Sequence, residues 1–423
     1  MSTTVCPNID WVGYVDWGVR DFHGYDTERG STYNAYLVHD EKTALVDAVK
    51  ADYAEDLLAA LAAAGISPPT GGKADASPAR DGVARTLDYV ICNHAEPDHA
   101  GALPRLMQAF PGATLVCDAK CRTALGQYHN TSGWKFQVVS DGDTLCLGRR
   151  TLQFFETPMV HWPESMCTYV PEEKLLFSMD AFGQHYATSQ RFDDEVPLER
   201  VLEEAKTYYA NIVMPYGKAA LPCLSKLAKL PIRMIAPSHG LIWRTAVEGI
   251  MAAYRDWVAC RARAKVLVIY DTMWDSTAQM AQAIYDGAGL PGVEVQLLPL
   301  RRTNLTRIAA EVLDAAAVAL GSPTLNRGMM PEAAAALHYL QGLRPQGKVA
   351  VAFGSYGWNS GGPEALDAGL RAMGWDVLRP PLAAKFRPTA EMLQSCHDAG
   401  RLLGERAVAA ATVPNSTCAE GRS

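Results

Sequence analysis

The stretch His94-Ala95-Glu96-Pro97-Asp98-His99-Ala100-Gly101 constrains this chain more than any other. It puts two imidazoles and two carboxylates into eight residues, directly after an apolar run at 87–92 that reads as a buried strand. Pro97 argues against a helix running through the box, and Gly101 helps the chain turn out of it. Ionisable groups this crowded repel or desolvate one another unless a multivalent cation neutralises them. The simpler alternative is a solvated acidic loop with two incidental histidines. Further ligand types downstream favour the metal. His161 follows the predicted strand 151–156, Asp180 follows the hairpin strand 175–178, and His239 follows 233–236 in Pro237-Ser238-His239-Gly240. Taken singly, His161 or His239 reads as a hydrogen-bonded structural histidine and Asp180 as a turn residue. As a set, four ligand loops past four strand ends suit a two-sheet sandwich with a metal site on one rim.

Composition narrows the class. A chain of 423 residues, 48% hydrophobic and 20% charged, is globular and long enough for two cores. A net charge of -7 gives no electrostatic case for nucleic acid or anionic membranes. No apolar run is long enough to span a bilayer and the start lacks a signal-peptide pattern, so the expected location is cytoplasmic. Ten cysteines without a Cys-x-x-Cys pair make neither a disulfide framework nor a small iron–thiolate module, so electrons, if the chemistry needs them, would have to come from another protein. The Pro- and Gly-rich segment at 67–81 reads as a surface loop.

Beyond an amphipathic helix expected at 252–263 the pattern changes. Lys265-Val266-Leu267-Val268-Ile269-Tyr270 is a continuous apolar strand of the parallel-sheet kind, and strands then alternate with helices. Strands at 265–270, 293–298, 316–320, 348–353 and 375–378 predict a five-stranded doubly wound domain. Three loops follow its strands. The first, Asp271-Thr272-Met273-Trp274-Asp275-Ser276-Thr277, lacks Gly-x-Gly-x-x-Gly and so does not support a dinucleotide, but it offers hydroxyls and backbone N–H groups at a helix start, which suit a phosphate monoester. Alone it would read as an ordinary N-cap by Asp275 or Ser276. The second carries Ser322, Pro323, Thr324, Leu325 and Asn326; the third carries Ser355, Tyr356, Gly357, Trp358, Asn359, Ser360 and Gly361. Phosphate donors, polar groups and flat aromatics outside strand carboxyl ends fit flavin mononucleotide (FMN), against a flavin-free domain of the same fold.

The ligand inventory of His94, Glu96, Asp98, His161, Asp180 and His239, with His99 open, holds nearly one carboxylate per imidazole, which favours iron or manganese over structural zinc. Asp180, arriving from its own strand end, is the natural bridge. These motifs, with His161-Trp162-Pro163-Glu164-Ser165-Met166 and Asp180-Ala181-Phe182-Gly183, resemble the flavodiiron proteins, also called A-type flavoproteins, over nearly the whole chain. The resemblance implies a metallo-β-lactamase-like diiron domain of α/β and α+β class at 1–262, a flavodoxin-like FMN domain at 263–412 and a tail at 413–423. It implies one iron on His94, Glu96 and His161, another on Asp98 and His239, and Asp180 between them, with His99 a ligand in some members and swung away in others. Tyr208, His23 and Tyr25 match residues near the metals. Glu96 stands where the superfamily's hydrolases usually have histidine, which speaks against the rival reading of a dizinc hydrolase with a flavodoxin-like docking module. The family implies electrons from rubredoxin or a similar donor, passage through FMN to two Fe, and reduction of O2 to water, NO to N2O, or both. It also implies a head-to-tail homodimer, alone or paired into tetramers.

Overall fold

The structure, a computed structural model, describes residues 2–69 and 85–412. Most of the loop expected at 67–81 and all of the tail at 413–423 lie outside the described residues. The chain divides into two compact units, one running to Tyr208 and including Ala219–Ala253, the other made of Tyr209–Lys218 and the chain from Tyr254.

The first unit holds a seven-stranded and a five-stranded sheet. In the larger sheet, Tyr36–Val38, Ala44–Val46, Tyr89–Ile91 and Thr114–Cys117 lie side by side. Alternate side chains serve two cores, as the strand period of two requires. Tyr36, Val38, Ala44, Val46, Ile91 and Val116 face Phe154, Met166 and Phe177 of the smaller sheet. Leu37, Leu45, Val90 and Leu115 pack with Leu57, Leu61, Leu103 and Leu106 of the outer helices. This burial on both faces explains why these strands read as apolar runs rather than alternations. In the smaller sheet Thr151–Glu156 and Leu175–Met179 are both antiparallel to Met166–Val170, and Leu175–Met179 is parallel to Met234–Pro237. The carboxyl ends preceding His161, Asp180 and His239 therefore share one edge.

The second unit is a parallel sheet in the order Glu294–Pro299, Arg263–Tyr270, Ala315–Gly321, Val349–Tyr356, with helices on both faces. The order reverses between Arg263–Tyr270 and its neighbours, which places the ligand crevice outside the carboxyl ends of Arg263–Tyr270 and Ala315–Gly321. The helices Ser276–Ala288 and Ala390–Thr412 pack closely enough that a Cβ on Gly400 would lie 2.0 Å from the Ile284 carbonyl oxygen.

Two expectations need correction. Five strands were expected here, yet the sheet has six: Asp376–Val377 and Leu382–Lys385 both pair with Val349–Tyr356. Pro380 and Pro381 lack the N–H that a ladder needs, so the last strand is broken in two. The helix expected at 252–263 is Val247–Val258, and Arg263 already belongs to the strand. Among the described residues no helix is long and apolar enough to cross a membrane.

Candidate metal centre and flavin site

The box is held from both sides. Asp47, buried and at φ 58°, accepts hydrogen bonds from the backbone N–H (2.8 Å) and the side-chain amide (2.9 Å) of Asn93, fixing the residue before His94. After Glu96 the chain makes a one-turn helix, Pro97–Ala100. Pro97 thus starts a helix inside the box instead of preventing one, because a first helical residue needs no N–H donor. Gly101 is obligatory: a Cβ there would sit 2.3 Å from the Pro97 carbonyl oxygen. The His239 loop is pinned as firmly, with Asn34 donating to the Pro237 and Gly240 carbonyls and the Gly240 N–H donating to Thr32 Oγ1.

All seven ligand candidates come together, in two clusters. In one, Glu96 Oε2 lies 3.1 Å from His94 Nε2 and 3.2 Å from His161 Nε2, while Asp180 Oδ2 lies 3.1 Å from His161 Nε2. In the other, Asp98 Oδ2 lies 3.1 Å from His239 Nε2 and 3.2 Å from His99 Nε2, and Asp180 Oδ1 lies 3.1 Å from His99 Nε2. Asp180 therefore turns one oxygen to each cluster. His99, left open by the sequence, has its Nε2 in the second cluster.

The fit to metal rests on what these atoms do not do. Both oxygens of Asp98 and of Asp180, both ring nitrogens of His99 and Nε2 of His239 are buried without a well-formed hydrogen bond. Buried polar atoms left so are costly. Ligand atoms about 2.1 Å from one ion and at right angles lie about 3.0 Å apart, which is close to the spacing seen. The electrostatics agree. Burial alone would lower the histidines, yet Glu164, Glu96 and Asp180 carry His94 up to about 9, and Asp180 and Glu96 carry His161 up to about 10. Burial would raise the carboxylates, yet His161 and His94 hold Glu96 down at about 2, and His99 and His161 hold Asp180 well below its usual range. The pocket calls for positive charge and accepts protons in place of it.

Three supports were not assigned roles from sequence. Glu164 accepts from His94 Nδ1 at 2.7 Å, leaving Nε2 to face the cluster. Thr32 O accepts from His239 Nδ1 at 2.6 Å, to the same effect. His185, buried, pairs with the Tyr25 hydroxyl (2.6 Å) and Ser31 Oγ (2.8 Å), and its ring lies 4.9 Å from those of Tyr208 and His239. Burial, with His239 and His23 nearby, keeps His185 neutral. Tyr25 thus reaches the site through His185, the Tyr208 ring also lies 5.8 Å from that of His239, and His23 Nδ1 lies 3.2 Å from Glu96 Oε1. Only Glu164 had a signal, its place in the His161 motif.

In the second unit, Thr272 Oγ1 is a buried hydroxyl oxygen without a partner. Asp275, at φ 59°, turns the chain into Ser276–Ala288. Thr277 Oγ1 and Ser355 Oγ lie 2.9 Å apart, and Ser322 Oγ accepts from the Met330 N–H while donating to Pro323 O. These hydroxyls tie the loops together. Thr324 does so too, accepting from the Gly362 N–H. Trp274 is 85% and Trp358 92% exposed, far more than single tryptophans usually are, and Phe386, outside the expected set, is exposed beside Gly357. An orphaned hydroxyl, a helix start and uncovered flat rings fit a phosphorylated aromatic cofactor.

Comparison with known proteins agrees with both halves. Residues 80–240 match the model described as ODP family beta lactamase, and residues 268–400 match Flavodoxin. A nitric oxide reductase of Moorella thermoacetica is 42% identical over 95% of this chain and 98% of its own. The crystal structure of the flavodiiron protein from Giardia intestinalis superposes with a TM-score of 0.90 at 39% identity, covering 97% of this chain and 98% of that one. This chain belongs to the flavodiiron proteins. A second structure, rubredoxin oxygen:oxidoreductase from Desulfovibrio gigas, gives a TM-score of 0.89 at 36% identity over 98% and 100% of the two chains. The flavodiiron assignment carries the fold class, a β-lactamase-like unit followed by a flavodoxin-like one, and removes the dizinc hydrolase alternative.

Proposed function

We propose that this flavodiiron protein is an oxidoreductase that takes electrons from rubredoxin or a similar small donor, through FMN, to a non-haem diiron centre, and reduces nitric oxide to nitrous oxide, dioxygen to water, or both. The carrying observation is Asp180, whose two oxygens each stand about one ligand spacing from a separate cluster. One iron is assigned to His94, Glu96 and His161, the other to Asp98, His99 and His239, with Asp180 shared. When bound, the irons and flavin supply the electrons for reducing a diatomic gas. The chain's own residues do the rest. Glu164 and Thr32 O hold the imidazoles in the tautomer that presents Nε2. Burial, with Asp180 and Tyr25 nearby, raises Tyr208 well above its usual range, so its hydroxyl keeps its proton and stays a donor.

The flavin is assigned to the loops carrying Thr272–Thr277, Ser322–Asn326 and Ser355–Gly361. The domains are proposed as 1–262 for iron and 263–412 for flavin. A head-to-tail homodimer is proposed because electrons must pass between cofactors held on different domains. A cytoplasmic location is proposed, in keeping with cysteines that form no disulfide among the described residues. Metal and flavin analysis, followed by gas consumption by the reduced protein, tests the reading. Two irons and one FMN per chain with turnover of NO or O2 are expected; two zincs, or no turnover of either gas, would overturn it.

A further inference from the structure

The flavin loop starts with a carboxylate, which is a poor neighbour for a phosphate. Asp271 immediately follows the strand Arg263–Tyr270 and is only 2% exposed. Its Oδ1 accepts from the Thr272 backbone N–H at 2.8 Å. The side-chain oxygen of that same residue, Oγ1, is the buried hydroxyl without a partner. So the carboxylate that sets the backbone at Thr272 also puts a negative charge one residue from the group best placed to meet a phosphate.

Arg301 offsets that charge. It lies just past the neighbouring strand Glu294–Pro299, and its guanidinium grips Asp271 with two nitrogens: Nε is 2.8 Å from Oδ1, and Nη2 is 3.3 Å from Oδ2. Nη2 also lies 3.5 Å from Glu332 Oε2. A two-point grip of this kind fixes the carboxylate's orientation as well as its charge. Arg301 is half-exposed and Asp271 buried, so removing Arg301 leaves a buried, uncompensated carboxylate, whereas removing the Asp271 charge leaves a guanidinium that water can reach.

We infer that Asp271 and Arg301 form a positioning pair that makes the Thr272 loop selective for a phosphorylated flavin over its unphosphorylated form. This rests on the proposed placement of the FMN phosphate at the Thr272–Thr277 loop. Asp271 orders the loop through the Thr272 N–H, and Arg301 cancels the charge that would otherwise repel a dianion. Neither residue has to touch the flavin ring. Loss of Arg301 should therefore weaken binding of the phosphorylated ligand and spare the other.

The test uses the full-length protein stripped of flavin, with FMN and riboflavin affinities read from quenching of flavin fluorescence. Wild type should bind FMN far more tightly than riboflavin. Arg301→Gln should lower FMN affinity at least tenfold while changing riboflavin affinity less than threefold. Asp271→Asn, which keeps an oxygen for the Thr272 N–H, should bind FMN as tightly as wild type or more so. In the double variant, FMN affinity should return to within threefold of wild type. FMN affinity unchanged in Arg301→Gln would overturn the role of the pair and leave the phosphate placement standing. So would equal losses of FMN and riboflavin, or a loss in Asp271→Asn as large as in Arg301→Gln. Wild type binding both flavins equally would overturn the phosphate placement, and the pair's role with it.

Discussion

The iron cradle and the flavin loops meet the same demand, holding a charged guest, in opposite ways. The cradle buries acids and imidazoles together, with the facing atoms of Asp98, Asp180, His99 and His239 left without a well-formed hydrogen bond, so protons hold its charge balance where a cation would otherwise do so. The flavin loops use several of their hydroxyls to tie the chain together, through Thr277 with Ser355 and Ser322 with the Met330 N–H, and leave Trp274 and Trp358 in solvent. The cradle is tuned by burial; the loops are pre-shaped by internal bonds and finished by a flat ligand. Substitutions should therefore be drastic and specific in the first and graded in the second.

The sharpest break comes at Asp180. Asp180→Asn removes the anionic bridge from both clusters and should cut iron from two per chain to fewer than about 0.5 while FMN stays bound, as metal analysis beside the flavin absorbance would report. Full iron in the variant would mean the clusters are independent. Glu164→Gln weakens only the support behind His94 and should lower iron affinity by about 10–100-fold, measured by competition with a chelator. On the other side, Trp358→Ala should weaken FMN by about 1 kcal/mol, the worth of one aromatic stack, with iron content unchanged. Equal loss of iron and flavin in either variant would erase the contrast.

A further effect, specific to pH, lies away from both cofactors. Burial pushes the Glu204 carboxyl up to about 7, against the pull of Arg29 at 2.6 Å. The folded value lies above the unfolded one near 4.5. The folded state therefore binds more protons between them, and this stabilisation is lost as pH rises through 7. Glu204→Gln should remove that dependence, gaining about 1–2 kcal/mol relative to wild type between pH 5 and pH 8. Urea denaturation of the iron-free protein at the two pH values would show it.

The features legible in the sequence were those with local signatures. The strands Thr114–Cys117 and Thr151–Glu156 and the helices Ser276–Ala288 and Pro331–Leu343 follow directly from apolar runs, caps and an N-terminal proline. The ligand loops were readable because each followed such a strand. Supports set by long-range contact were not. Thr32 and His239 are far apart in sequence, as are Tyr25 and His185, and no spacing rule connects them. Glu164 stood in a motif without a role because its partner, His94, lies on another sheet's rim. The second half of the last strand is not legible for a different reason: the strand expected at 375–378 covers Asp376–Val377, but Pro380 and Pro381 cut the apolar signal off before the four-residue piece Leu382–Lys385.

On the proposed ligand assignment, one carboxylate facing two ways would make two bound ions depend on each other. An ion held by either cluster would fix the Asp180 side chain in the orientation the other cluster needs. Loading should then be close to all-or-none. In cells short of iron, such a population would divide into fully armed and empty molecules, with few half-filled ones, so supply would set how many copies work rather than how well each does.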